Sequence, residues 1–199
     1  MARVLLTALL LLVIGCVPVD TDHDGTIRIV CGGDSNTASG WPTPETVRWC
    51  EYAASVCTTS RGVPVQWYNR GIGGAALGSL PYQDDLVAFA DSVNADAVIL
   101  AYGTNDVGLL DATPEDYAAS LQATCRRFPL GVGCYAMTFP PHPWDGFNVC
   151  AYNAAIASVV LPGATIDRTT DISFLEDTAH LDDASEMLLG ARVAAMMCP

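Results

Sequence analysis

A three-layer α/β sandwich built on a parallel sheet is the fold the sequence predicts, and three observations predict it. Short apolar runs rich in β-branched residues alternate with stretches that carry apolar side chains at helical spacing. One run, Ala97-Val98-Ile99-Leu100-Ala101, is apolar throughout, as a strand covered on both faces must be. Several runs close on glycine and small polar residues, the composition of a sharp exit from a strand. Five strands alternating with five helices in 199 residues make one domain with right-handed crossovers.

The first strand is Ile27-Arg28-Ile29-Val30-Cys31, which breaks at Gly32-Gly33 into Asp34-Ser35-Asn36-Thr37. A polar loop through Pro42-Thr43-Pro44 precedes a helix over 45–56, with an acidic first turn and Thr43 as its N-cap candidate. Val63 to Tyr68 alternates like a strand and closes on Asn69-Arg70-Gly71-Ile72-Gly73-Gly74. Residues 84–93 set Leu86, Phe89, Ala90 and Val93 at helical spacing and lead into the strand over 97–101, which exits at Gly103-Thr104-Asn105-Asp106. The rhythm continues with a helix over 114–127 opened by Thr113, a strand over 132–139 and a proline-rich loop over 140–147. A helix over 149–160, a short strand over 164–166 and a final helix over 183–197 complete the chain.

Hydrophobic residues make up 51% of the chain, enough to bury a substantial core, and only 16% are charged. Nine basic residues, all arginine, stand against 22 acidic ones for a net charge of -13, which argues against nucleic acid as a partner. Met1-Ala2-Arg3 ahead of the apolar run from Val4 to Ile14 reads as an export leader, too short to span a bilayer. Val13-Ile14-Gly15-Cys16 resembles a bacterial lipobox. The expected organisation is a leader over 1–15, lipidation at Cys16, an acidic linker over 16–25 and a folded domain over 26–199. The protein is then a monomeric cell-envelope lipoprotein, touching membrane only through its anchor; the rival is ordinary cleavage and release to the periplasm or medium. Asp20-x-Asp-x-Asp-Gly imitates a calcium loop, but Cys31 stands where that loop needs a bidentate glutamate, so the segment reads as solvated linker, with calcium binding the lesser alternative.

Eight cysteines in an exported chain argue for disulfides. With Cys16 lipidated and Cys31 a small buried hydrophobe within a strand, short-range pairing suggests Cys50 with Cys57, Cys125 with Cys134, and Cys150 with Cys198. The first pair requires the helix to end before Cys57, because seven residues of unbroken helix span roughly 10 Å, beyond disulfide reach. The chain has no Cys-x-x-Cys, and neither a metal nor a cofactor is expected.

Ser35 follows the first strand on rigid scaffold yet open to a cleft, where a nucleophile is useful. A serine nucleophile needs a base, the base an orienting acid, and the developing oxyanion fixed donors. Of three histidines, His23 lies in the tether and His142 among prolines, whereas His180 follows Asp177 by three residues, a spacing that lets a turn bring carboxylate to imidazole. No Gly-x-Ser-x-Gly elbow surrounds Ser35, which excludes the α/β-hydrolase pattern. Four blocks in order, Gly33-Asp34-Ser35, Asn69-x-Gly71-Ile72-x-Gly74, Gly103-x-Asn105-Asp106 and Asp177-x-x-His180, resemble those of the SGNH hydrolases, or GDSL esterases and lipases. Each block is weak alone, and four in sequence are strong.

The resemblance implies a flavodoxin-like five-stranded parallel sheet, Ser35 as nucleophile, His180 as general base and Asp177 as its partner. It also implies an oxyanion hole of the Ser35 and Gly74 backbone amides with the Asn105 side chain. Asn36 stands where leucine gives the GDSL name, and Leu181 where a proline often follows the histidine. Asp34 and Asp106 read as loop buttresses, and Trp144 and Phe147 as a substrate platform or a cover for the sheet edge. The expected function is hydrolysis of small acyl esters, O-acetylated carbohydrate among them, since no long apolar insertion is available for an acyl tunnel. The rivals are a lysophospholipid or short-chain lipid esterase and a non-catalytic surface lipoprotein of the same fold.

Overall fold

Alternation of side chains along the first strand decides the layering. Ile27, Ile29 and Cys31 point into one core and Val30 into the other, and all four are buried. The computed structural model describes residues 17–40, 47–141, 147–161 and 163–199. The expected leader, Cys16, Thr43 and Trp144 lie outside these. Six strands are described: β1 Ile27–Gly33, β2 Thr59–Ser60, β3 Val63–Gly71, β4 Ala97–Ala101, β5 Gly133–Met137 and β6 Thr165–Ile166. The helices are α1 Trp49–Val56, α2 Leu80–Ser92, α3 Thr104–Leu110, α4 Pro114–Cys125, α5 Val149–Val159 and α6 Asp183–Met197.

The sheet order is β2-β3-β1-β4-β5-β6, and all neighbours are parallel except β2 with β3. The five expected parallel strands are therefore joined by a sixth, two-residue strand. It folds back through Arg61 and Gly62, both with positive φ (51° and 83°), the backbone of a tight hairpin turn. Helices α1 and α6 cover one face through Trp49, Ala53, Leu189 and Val193. Helices α2, α4 and α5 cover the other through Leu86, Tyr117, Leu121 and Ile156. Two departures from the expected elements have local causes. Leu80-Pro81 starts α2 before residue 84, since proline suits a first helical turn. The seven-residue α3, with Gly108 in its middle, is too short to show a period.

The reversal of strand order sets β1 between β3 and β4, which opens a crevice at the carboxyl ends of β1 and β4. Register aligns those ends: Gly33 is opposite Gly71 on β3 and Ala101 on β4. Chain leaving all three strands therefore emerges at one level of one edge. At the opposite edge the segment before β1 is docked, with the Thr21 N–H and hydroxyl both donating to Asp96 Oδ1 at 2.6 Å.

Buried Arg48 and Glu186 join α1 to α6. Burial pushes the Glu186 carboxyl up to about 8 against the pull of the Arg48 charge. Both its oxygens nevertheless accept, from Arg48 Nη1 at 2.7 Å and Trp49 N at 3.0 Å, which is how an ionised carboxylate is held.

The disulfides correct two of the three expected pairs. Cys125–Cys134 is present, but Cys31 pairs with Cys50 and Cys57 with Cys198, while Cys150 is free and exposed. Cys31 and Cys50 meet because the inward face of β1 lies under α1. Helix α1 does end before Cys57, which turns to the end of α6 instead. Cys150, on α5, and Cys198, just past the end of α6, belong to helices covering opposite faces of the sheet and cannot meet. Three disulfides fit an oxidising compartment, and no described helix is long and apolar enough to cross a membrane.

Loop length orders the bridges. Cys57–Cys198 spans 141 residues and Cys125–Cys134 only 9, so chain entropy assigns them about 5 and about 2.6 kcal/mol. Replacing both cysteines of the long-range pair by serine should lower the denaturation midpoint more than the same change in the short-range pair. Equal or reversed losses would contradict this ordering.

Candidate active site

Ser35 sits in a turn that β1 enters directly. The buried Asp34 closes it: its carboxylate accepts from Asn36 N at 2.9 Å, and its carbonyl from Thr37 N and Ala38 N at 3.0 and 2.9 Å. Burial pushes the Asp34 carboxyl up, opposed by the Asn36 N–H and by the charge of Arg168. Arg168, buried after β6, donates from Nε to the Thr138 carbonyl at 2.5 Å. The turn leaves Ser35 partly exposed while its neighbours are buried.

Ser35 Oγ lies 2.8 Å from His180 Nε2, and His180 Nδ1 lies 2.6 Å from Asp177 Oδ2. Nδ1 facing a carboxylate is the donor, so Nε2 is left to accept from the serine hydroxyl. The other Asp177 oxygen accepts from Ala179 N and His180 N, each at 3.0 Å. Partial burial pushes the Asp177 carboxyl up, but these hydrogen bonds, the His180 ring foremost, outweigh it and hold the carboxyl below its ordinary value. Between them Thr178 has a φ of 59°, a left-handed backbone that a β-branched residue rarely adopts. The loop is pinned at its neck by a bridge between Phe174 and Leu181 and by Leu175 N donating to the His180 carbonyl at 2.8 Å.

The other two blocks converge on the same edge. Gly71 packs so closely on the Ser35 turn that a Cβ there would overlap the backbone of Thr37 and Ala38. Asn69 Nδ2 donates to the Thr37 carbonyl at 2.6 Å and to Glu51 Oε1 at 2.7 Å, while Ile72 N donates to the Gly33 carbonyl at 3.0 Å. Gly74 is exposed with a φ of 78°. Asp106, fully buried, accepts from Leu77 N and Gly78 N at 2.9 and 2.7 Å, tying the glycine-rich turn to α3. Asn105 then donates one amide hydrogen to the Ala75 carbonyl at 2.9 Å and keeps a second to give. Among the described residues, the backbone N–H groups of Ser35 and Gly74 make no hydrogen bond.

Phe147 is half-buried against Phe139 and Tyr152, with ring centroids 5.4 and 4.9 Å away, so it covers the core beside the proline-rich loop. Among the described residues, the side chains close enough to share a metal ion are Asp20, Asp22 and Asp96. They lie at the amino end of the strands, away from Ser35, and Asp96 is already engaged by Thr21 and Arg28. Two contributors were not legible as such. Asn36 read only as a departure from a motif, although an amide beside a serine at a buried position was a signal. Arg168 carries no pattern that would single it out.

Residues 31–186 match the model of the GDSL-like lipase/acylhydrolase family. No curated protein matches the sequence. In fold the chain is similar to a lipase/acylhydrolase from Enterococcus faecalis, with TM-score 0.66 and 20% identity over 85% of this chain and 94% of that one. It is also similar to an acetylxylan esterase from Geobacillus stearothermophilus, with TM-score 0.63 and 15% identity over 85% and 93%. A carbohydrate esterase family 3 protein from Talaromyces cellulolyticus gives TM-score 0.62 and 16% identity over 85% and 95%. At these identities the likeness to solved structures is one of fold.

Proposed function

The chain belongs to the GDSL-like lipase/acylhydrolase family and is a carboxylic ester hydrolase, and from that premise we propose that it cleaves small acyl esters through an acyl-enzyme on Ser35. The observation that carries the reading is the relay of contacts from Ser35 Oγ to His180 to Asp177, at 2.8 and 2.6 Å, on the ligand-binding edge of the sheet. Ser35 Oγ attacks the carbonyl carbon as His180 Nε2 takes its proton. The carbonyl π pair moves onto oxygen, where the Ser35 and Gly74 N–H groups and the Asn105 amide donate to it. Collapse expels the alcohol, which takes the proton from His180, and water repeats the sequence on the acyl-serine to release the acid. Asp177 keeps the imidazole in the required tautomer throughout.

Acetylated carbohydrate is the substrate class favoured by the acetylxylan and carbohydrate esterases that share the fold. A second reading, a short-chain lipid ester, draws on Leu109 and Leu110, which are exposed on α3 a few residues after Asn105. The three disulfides support action outside the cytoplasm, and attachment through Cys16 would set it at the membrane surface. A fluorophosphonate probe should label the protein and spare Ser35→Ala, and acetylated xylo-oligosaccharides should outpace lysophospholipids in turnover. No labelling of folded protein would refute the nucleophile, and the reverse substrate order would favour the lipid reading.

Activity should be lost in acid, because an imidazolium cannot take the serine proton. Asp177 is held below its ordinary value, so its own protonation should not limit activity until the pH is lower than an ordinary carboxylate requires. A flat profile would rule out a histidine base. Asn105→Ala should lower kcat by roughly 10²- to 10³-fold with KM little changed, since its amide donates most strongly to the charged tetrahedral state. Undiminished kcat in the folded variant would make Asn105 a loop cap only.

A further inference from the structure

We propose that Asn36 is a positioning residue that locks the histidine loop onto the serine turn, an inference that rests on the reading of Ser35 and His180 as nucleophile and base. Asn36 is next to Ser35 in the chain and only 4% exposed. Its Oδ1 accepts from Leu181 N at 2.9 Å and its Nδ2 donates to the Ala179 carbonyl at 3.1 Å. Those two backbone groups flank His180. The amide therefore bridges the loop on either side of the base as a peptide of a neighbouring strand would, and its partners fix which end is oxygen and which nitrogen.

The loop needs such a hold. It reaches the sheet edge from a surface turn in which Asp177 is half-exposed and Thr178 has a left-handed backbone, a strained conformation that persists only where surrounding bonds over-determine it. The bonds between Asp177 and His180 are internal to the loop and orient the ring within it. They do nothing to place the loop relative to Ser35. Apart from the reacting contact itself, the Asn36 bridge is the polar link, among the described residues, between the serine turn and the residues flanking His180. The asparagine amide supplies both the donor and the acceptor; leucine supplies neither, and ionised aspartate supplies the acceptor alone.

Rates and endpoints of fluorophosphonate labelling, with kcat and KM for p-nitrophenyl acetate, test this on the whole protein. Asn36→Leu should slow both labelling and kcat by about 10²-fold, the scale of a misplaced reacting group, while KM changes little and labelling still runs to completion. Asn36→Asp, of the same shape, keeps the bond from Leu181 N and loses the one to Ala179, so it should be slowed as well, by less than Asn36→Leu. It also serves if the leucine variant does not fold. Wild-type rates in both variants would overturn the proposal. So would a reduced endpoint with an unchanged rate constant, because that result marks a folding role only. If wild-type protein neither labels nor turns over, the reading of Ser35 fails and this inference with it; if it does both and the variants match it, only the role of Asn36 fails.

Discussion

Ser35 and His180 are 145 residues apart in sequence and 2.8 Å apart in space, and holding two loops at that distance is the constraint around which the rest of the molecule is arranged. One loop is the turn after β1, the strand whose neighbours on either side are β3 and β4. Placing a turn at the end of a strand buried on both faces removes most of its freedom. The glycines at the same level let it be approached: Gly33 and Gly71 are opposite each other in register, and Gly71 has no room for a side chain. The nucleophile candidate is thus positioned by backbone packing before any of its polar partners is considered.

Polar bonds then tie that turn to everything around it. Thr37, two residues past Ser35, receives Asn69 on its carbonyl and the Trp49 indole N–H on its hydroxyl at 3.1 Å. Trp49 is held by Glu186, which is held by Arg48, so the turn is coupled to the contact between α1 and α6. A buried pair of this kind adds little by itself, but removing one partner typically costs about 3–5 kcal/mol, because the other charge stays buried. The Cys31–Cys50 bridge runs beside it, from β1 to α1. Asp106 does similar work across the crevice, where its bonds to Leu77 and Gly78 fix Asn105 next to Gly74.

The sequence was most informative where the determinant is local. The apolar run of β4, the glycine exits and the Asp177-x-x-His180 turn are each readable within a few residues, and they marked the strands and the residues that now lie together at one edge. What was not legible depends on which elements share a face. Pairing Cys150 with Cys198 is reasonable along the chain and impossible across a sheet that separates α5 from α6. Cys31 reads as a buried hydrophobe until α1 is laid over β1. Helix α3 and strand β2 were hidden by brevity, and β2 also by a hairpin turn whose first residue, ahead of Gly62, is Arg61 rather than asparagine or glycine. Asn36 was visible as a residue out of pattern, but its reason lies 143 to 145 residues away.

A nucleophilic Ser35 must carry the acyl group during turnover. Rapid quenching of the wild-type protein with p-nitrophenyl acetate, followed by intact-mass and peptide analysis, measures this directly. One added acetyl group is expected on the peptide containing Ser35, formed within the first turnover and absent from Ser35→Ala. Turnover with no adduct on that peptide, together with undiminished hydrolysis by Ser35→Ala, would contradict it.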